Sequence, residues 1–232
     1  MWRQAADELV AYVQVTYAPL GIVLSGSLVR GDGGPASDLD VVVVHDRAWR
    51  LREQRRFRGV PAELFVNPAA QIRRYFASEH ARGRPGTAHM LVTGEVVEPA
   101  APIVHELVRE ARDWLAKPLA PSDTDLASLR YVVVDTLDDA RDVADPALQQ
   151  LLLAQAVNDT LAYVFWRHRR FQPRRKELLA AVAALEPATA ELASRCAAQP
   201  TLAGAEELAR HVLGVDTFFE WTSARDPVML DP

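Results

Sequence analysis

The chain has 232 residues, of which 49% are hydrophobic and 25% are charged. This composition is typical of soluble globular proteins and excludes disorder throughout, and no apolar run approaches the roughly 20 residues that span a bilayer. The net charge of −5, from 26 basic and 31 acidic residues, argues against a protein that holds duplex nucleic acid mainly by neutralising phosphates. A single cysteine, Cys196, excludes an internal disulfide and a thiolate zinc site.

The amino-terminal half shows a helix followed by strand patterns. Acids and glutamines stand where a secretion signal needs an uninterrupted apolar segment, so we expect a cytoplasmic protein. Apolar residues at helical spacing predict a helix over 2–17. Three short β-branched runs, at 21–25, 38–44 and 60–66, predict strands of one buried sheet. The arginine-rich segment 47–56 is too polar for a core and predicts a short helix or an exposed connection.

Beyond residue 68 the helical pattern takes over, apart from an extended stretch at 95–98 and a loop at 82–86. Helices are predicted at about 68–80, 102–116, 123–143, 146–169, 173–185, 188–197 and 202–223, separated by prolines that cannot continue a helix. The proline-containing segment 117–122 predicts a domain boundary. The sequence therefore predicts an α+β protein with a domain that contains the sheet at 1–117 and an all-helical bundle domain at 122–232.

The second predicted strand carries two acids, Asp38 and Asp40. Residues two apart on a strand share a face, so these carboxylates lie side by side among valines. Two unpaired charges in such surroundings are costly, and a divalent cation removes the conflict. Oxygen ligands without nearby His or Cys favour Mg²⁺ or Mn²⁺ over zinc. Glu63 completes a cluster if its strand lies beside the second one. Alternatively, Asp38 caps a turn, Asp40 pairs with an arginine such as Arg30, and Glu63 faces solvent.

Upstream of these acids, Gly26 and Ser27 directly follow the first predicted strand. A glycine permits close approach of the backbone to a ligand, and the N–H groups of such a turn, together with the Ser27 hydroxyl, can bind phosphate oxygens. A phosphate-binding turn beside a metal cluster suits metal-assisted phosphoryl or nucleotidyl transfer.

A Gly-Ser pair, a spacer, Asp-x-Asp on the next strand and a third acid on a later strand resemble the nucleotidyltransferase superfamily. That superfamily includes the kanamycin and lincosamide nucleotidyltransferases and the small antitoxin-type nucleotidyltransferases. Here the pattern is Gly26-Ser27, Asp38-Leu-Asp40 and Glu63, within about residues 20–67. The resemblance implies a nucleotidyltransferase domain built on a small mixed β-sheet with flanking helices, and a following helical domain that closes over the nucleotide. It also implies Mg²⁺-bound ATP or another NTP as donor and a hydroxyl as acceptor.

Further residues are candidates for the general base and for nucleotide binding. Glu63 can serve as the general base. Some related enzymes recruit an acid from the helical domain instead, and Asp135 is our candidate for it. A row of acids along one helix is, however, more often a solvated face. Lys176, by its resemblance in placement to basic residues of related helical domains, and Arg30, beyond Ser27, are candidates to hold the triphosphate. Ser37, next to Asp38, joins the nucleotide-binding candidates.

The predicted function is transfer of a nucleoside monophosphate from an NTP to a hydroxyl of a small molecule bound between sheet and helices, such as an aminoglycoside or lincosamide antibiotic. This predicts a magnesium-dependent transferase that confers antibiotic resistance. Two alternatives stay open. One is an antitoxin-type nucleotidyltransferase that modifies or binds a partner protein, and the other is a nucleotide-binding protein without catalysis. A homodimer formed through the helical half is compatible with the sequence.

Overall fold

The structure is a computed structural model that describes residues 2–223 and 225. The chain forms two compact units, divided between Pro118 and Leu119. No helix among the described residues combines the length and apolar character that a membrane crossing requires.

The first unit alternates short helices with the strands of one sheet. Its elements are α1 (Trp2–Tyr17), β1 (Gly21–Ser25), α2 (Ser27–Arg30), β2 (Leu39–His45), β3 (Leu51–Phe57), β4 (Val60–Pro68), α3 (Ala69–Ala81), α4 (Gly86–Thr93), β5 (Glu95–Val97) and α5 (Pro102–Ala116). The strand order in the sheet is β3-β4-β2-β1-β5. Strands β2 and β4 are parallel and the other neighbours antiparallel, which makes the sheet mixed.

Apolar cores lie on both faces of this sheet, because strand side chains alternate between faces. On one face Leu39, Val41 and Val43 pack with helix α1 residues. On the other face Val42 and Val44 pack in a second cluster with residues of α3, α4 and α5. A sheet that is covered on both sides explains the nearly continuous run of valines in β2.

Strand β3 corrects the predicted short helix or exposed connection at 47–56. It pairs antiparallel with β4 through a tight turn at Arg58 and Gly59, both of which have positive φ. Only Phe57 of β3 is buried. An edge strand needs just one partner and tolerates charged residues, which also protect it from pairing with other chains. The polar sequence of β3 therefore lacks the apolar alternation from which a strand is predicted.

The second unit is helical and packs around its own core. Its helices are α6 (Asp123–Asp142), α7 (Pro146–Arg167), a 3-10 turn (Arg175–Glu177), α8 (Leu178–Leu185), α9 (Pro187–Ala198) and α10 (Leu202–Leu213). Helix α10 ends ten residues before the predicted Ser223 end, because Gly214 adopts a left-handed conformation that terminates it. Helix α4 was not predicted. The mixed sheet followed by helices confirms the predicted α+β class.

Candidate active site

Three acids of the first unit converge at one end of the sheet. Asp40 on β2 is the direct register partner of Glu63 on the parallel strand β4, and Asp38 immediately precedes β2. One carboxylate oxygen from each of these residues lies within 4.8 Å of the others, and all three residues are half-buried. A set of oxygen donors at this spacing could hold a divalent metal ion, and its chemistry fits hard cations.

Charge repulsion and burial act strongly on Asp40. Burial, and then the negative charges of Asp38 and Glu63, raise the pKa of Asp40 to about 6. The positive charges of Arg30 and Arg52 act in the opposite direction without cancelling this effect. A carboxylate that resists ionisation because of neighbouring anions is one that a bound cation would relieve.

Arg52 of β3 supplies the cation nearest to the cluster. Its Nε donates to Glu63 Oε1, and Gln54 Nε2 lies 3.4 Å from the same oxygen. The Arg52 side chain is 66% exposed, whereas that of Glu63 is 12% exposed. The pairing therefore places an accessible cation over a partly buried anion, and neither of these two β3 side chains donates to the second Glu63 oxygen. A hollow of about 370 Å³ opens beside this group.

The Gly26-Ser27 turn lies against the acids. Gly26 has φ of +94°, and a Cβ placed on it would come within 3.0 Å of Asp40 Oδ2 and 3.2 Å of the Asp38 carbonyl oxygen. Only glycine fits both the conformation and the space. The Ser27 hydroxyl donates to Ser37 Oγ at 2.8 Å, and the Gly34 N–H donates to the same oxygen at 2.8 Å. These bonds hold the loop that leads into Asp38.

Arg30 lies on the short helix that follows the turn. Its Nε is 3.5 Å from Asp32 Oδ1, and its charge also acts on Asp40. The structure therefore brings six of the predicted nucleotide- and metal-binding residues together with Arg30: Gly26, Ser27, Ser37, Asp38, Asp40 and Glu63.

A buried hydroxyl without a partner adjoins the acids. Ser25 is fully buried, and its Oγ makes no hydrogen bond with the residues that the structure describes. Ser25 is the register partner of Asp40, and it shares a sheet face with Val23, which packs beside Val42 and Val44. An unsatisfied buried hydroxyl is costly. Its place opposite Asp40 fits a site that takes a polar ligand.

Two predicted site residues belong to the second unit. Asp135 is exposed on α6 and accepts a hydrogen bond of 3.3 Å from the Tyr131 hydroxyl. Lys176 is exposed in the 3-10 turn and lines an apolar groove of about 430 Å³ together with Leu178 and Leu179. Their assignment to catalysis and to triphosphate binding stays a prediction.

The family of this site is decided by comparison with known proteins. The sequence model of a family described as a nucleotidyltransferase domain matches residues 4–80, which include all the acids of the cluster. The chain carries a nucleotidyltransferase domain. This match confirms the predicted resemblance to the nucleotidyltransferase superfamily over these residues, and such a domain supports transfer of nucleotidyl groups.

A solved structure is similar to this nucleotidyltransferase in fold. It is described as a nucleotidyltransferase-like protein from Exiguobacterium sibiricum 255-15, and it matches with a TM-score of 0.52 at 10% sequence identity. The match covers 91% of this chain and 75% of that chain. At this identity the likeness is one of fold. Among curated proteins, no sequence matches the chain.

Sequence reasoning missed the β3 side chains at the nucleotidyltransferase site. Arg52 and Gln54 reach Glu63 because β3 and β4 form a hairpin. The sequence signal for this hairpin was the dipeptide Arg58-Gly59 between the segments 51–57 and 60–68, since a glycine in a two-residue connection is typical of a β-hairpin. The Ser25 hydroxyl was also missed, because its burial depends on neighbours that are distant in sequence.

Proposed function

We propose that this nucleotidyltransferase uses Mg²⁺ and an NTP, with ATP as our first candidate, to transfer a nucleoside monophosphate to a hydroxyl of a small molecule. Aminoglycoside and lincosamide antibiotics are the acceptors to test first, and antibiotic resistance is the physiological role that such acceptors would imply. The single observation that carries the proposal is the convergence of three carboxylates beside a glycine-serine turn.

Asp38, Asp40 and Glu63 are the residues that would hold the metal. Their carboxylate oxygens are the ligands that Mg²⁺ and Mn²⁺ prefer, and no His or Cys is part of the cluster. When bound, the cation supplies positive charge that favours deprotonation of the acceptor hydroxyl and offsets the charge of the triphosphate. Glu63 would have to exchange Arg52 for the cation, which the exposure of that arginine permits.

The nucleotide would lie on the β1 side of Asp40. The backbone N–H groups of the Gly26-Ser27 turn and the Ser27 hydroxyl are donors for phosphate oxygens. Ser37 keeps the Ser27 side chain in place, and Arg30 adds positive charge on the same side. Gly26 allows the turn to approach Asp40 closely, so the phosphates and the acids would share one small volume.

The reaction needs a group that takes the acceptor proton. A carboxylate of the cluster, Glu63 in the first instance, would accept it as the acceptor oxygen bonds to the α-phosphorus. The bond from the α-phosphorus to the bridging oxygen breaks, and pyrophosphate leaves with the electron pair. Asp135 is the alternative base if the second unit supplies one.

A radiolabel experiment tests this function. The protein is incubated with Mg²⁺, each of four α-³²P-labelled NTPs, and a panel of aminoglycosides, lincosamides and candidate proteins. We expect label on a small molecule together with stoichiometric pyrophosphate. Label on a protein instead would favour the antitoxin-type alternative.

The control is Asp40→Asn, which keeps the shape of the side chain and removes its charge. We expect it to lower the rate by at least about 100-fold, the scale of losing one main electrostatic contact of a transition state. Pyrophosphate release that survives this substitution would contradict the proposed mechanism.

A further inference from the structure

A cavity of about 700 Å³ lies on the acid-bearing face of the sheet, wholly within the first unit. Strands β3 and β4 form its floor, and helices α3 and α4 contribute its walls through Tyr75, Glu79, Thr87 and Met90. Its volume is in the range of small-molecule sites, which join apolar surface to a few polar groups that orient the ligand.

Asn67 places a largely buried polar side chain in the lining of the cavity. The residue is 6% exposed, and it lines the cavity. In the part of the chain that the structure describes, no residue forms a hydrogen bond with its side-chain amide. An amide offers two donor hydrogens and one acceptor oxygen, and those of Asn67 are not among the enclosed polar atoms that lack a partner, so they can meet a ligand in the cavity that the residue lines. A hydroxylated ligand would satisfy them.

The cavity is linked to the metal-binding acids through Arg52, which lines it and contacts Glu63. Glu63, Phe65 and Asn67 follow one another at every second position of β4 and therefore share a face. Arg52 lines the cavity, stacks over the Phe65 ring at 5.1 Å from its centroid, and donates to Glu63. A molecule that packs against Phe65 and Asn67 would thus approach the acids from the β4 side of the sheet. The Gly26-Ser27 turn lies on the other side of the acids, at the end of β1.

The charges of the cavity favour an anion. Arg50 and Arg52 both line it, and Arg50 is exposed and donates to the Tyr75 hydroxyl at 2.6 Å. The acid among the lining residues, Glu79, is already occupied, because its two oxygens accept from the Thr87 N–H at 2.7 Å and the Thr87 hydroxyl at 2.8 Å. Arginine side chains recognise carboxylates and phosphates well. A polycationic ligand would meet repulsion here.

We propose that this cavity is the acceptor subsite, and that its acceptor is a hydroxylated ring that carries an anionic group. Asn67 binds ring hydroxyls, Phe65 packs against the ring, and Arg50 and Arg52 bind the anion. A cation at Glu63 would release Arg52 for this contact. The inference rests on the proposed function. Among the acceptors considered there, it favours anionic or neutral molecules and disfavours polycationic aminoglycosides.

The test uses three probes with one ring: glucose 6-phosphate, glucose and glucosamine. Their binding is measured by calorimetry or ligand-observed NMR on protein saturated with Mg²⁺ and α,β-methylene ATP, which fills the nucleotide site and cannot transfer. We expect glucose 6-phosphate to bind at least about tenfold more tightly than glucosamine, with glucose between them. Equal or tighter binding of glucosamine would overturn the charge assignment.

Two variants test the place of binding. Arg50→Gln, on an exposed side chain, and Asn67→Leu should each lower the affinity for glucose 6-phosphate by about five- to tenfold. Arg58→Gln is the matched control, because Arg58 lies in the β3–β4 turn, pairs with Glu8 and does not line the cavity. Unchanged affinity in Arg50→Gln would overturn the inference even if Asn67→Leu fails to fold. Failure of the wild-type protein to bind the magnesium-nucleotide complex would instead refute the proposed function.

Discussion

Asp40 and Glu63 are direct partners in the register of two parallel strands, β2 and β4. Partners in a parallel pair present their side chains on the same face, so this register by itself places two carboxylates next to each other. Asp38 adds a third anion within 4.8 Å. Half-buried acids at this distance repel one another, and that repulsion gives the site measurable properties before any ligand binds.

Asp40→Asn should stabilise the metal-free protein at neutral pH. The pKa of Asp40 is raised from 3.8 to about 6 in the fold, so its ionised form is disfavoured there. Between pH 4 and pH 6 the Asp40 carboxyl is protonated in the folded state but ionised in the unfolded state. The free energy of unfolding of the wild-type protein therefore falls as the pH rises through this range. Above pH 6 the variant should gain about 1–2 kcal/mol, because solvent screening at a half-buried group reduces the full value of the shift. Urea unfolding at pH 4 and pH 8 measures this, and an equal difference at both values would contradict it.

Metal binding by the wild-type protein should weaken in acid. The metal needs the ionised carboxylates, and the pKa of Asp40 is about 6. Its protonation alone should lower the affinity for Mg²⁺ or Mn²⁺ about tenfold between pH 7.5 and pH 5. Calorimetry near pH 6 in buffers of different ionisation enthalpy should also show proton release. An affinity that is constant over this range would contradict the role of Asp40.

Gly26→Ala should damage both stability and nucleotide binding. The new methyl group would lie 3.0 Å from Asp40 Oδ2 at φ of +94° and ψ of 177°, a conformation that is essentially restricted to glycine and costs another residue about 1–3 kcal/mol. Gly34→Ala is the control in the same loop, since a Cβ there meets nothing within 4 Å. Thermal unfolding and nucleotide titration compare the two variants. Equal behaviour of both would refute the close approach of the turn to Asp40.

Ser25→Ala should have opposite effects on the free and the loaded protein. Because the Ser25 hydroxyl is buried without a hydrogen-bond partner among the described residues, its removal should stabilise the metal-free fold by about 1 kcal/mol. If the hydroxyl serves the ligand, the affinity for the magnesium-nucleotide complex should fall about fivefold or more. A stability gain with unchanged affinity would show that Ser25 has no part in ligand binding.

The acid pair on β2 could be predicted from local sequence, because alternation along one strand decides which side chains share a face. The position of Glu63 beside Asp40 required a guess about strand neighbours, which the parallel pairing of β2 and β4 settles. Strand β3 was mispredicted, since the propensity of its arginines was outweighed by pairing with β4. The Asn67 cavity was not predictable, because its walls come from β3, β4, α3 and α4 and depend on tertiary packing.

A Mn²⁺ titration followed by electron paramagnetic resonance, with wild-type protein and Asp40→Asn at pH 7.5, measures metal binding by the three acids. We expect the wild-type protein to bind Mn²⁺ saturably and Mg²⁺ to displace it, with a loss of affinity of at least about tenfold in the variant. Wild-type protein that binds no Mn²⁺ with or without NTP, or binding that Asp40→Asn leaves unchanged, would contradict a metal-dependent nucleotidyl transfer at Asp38, Asp40 and Glu63.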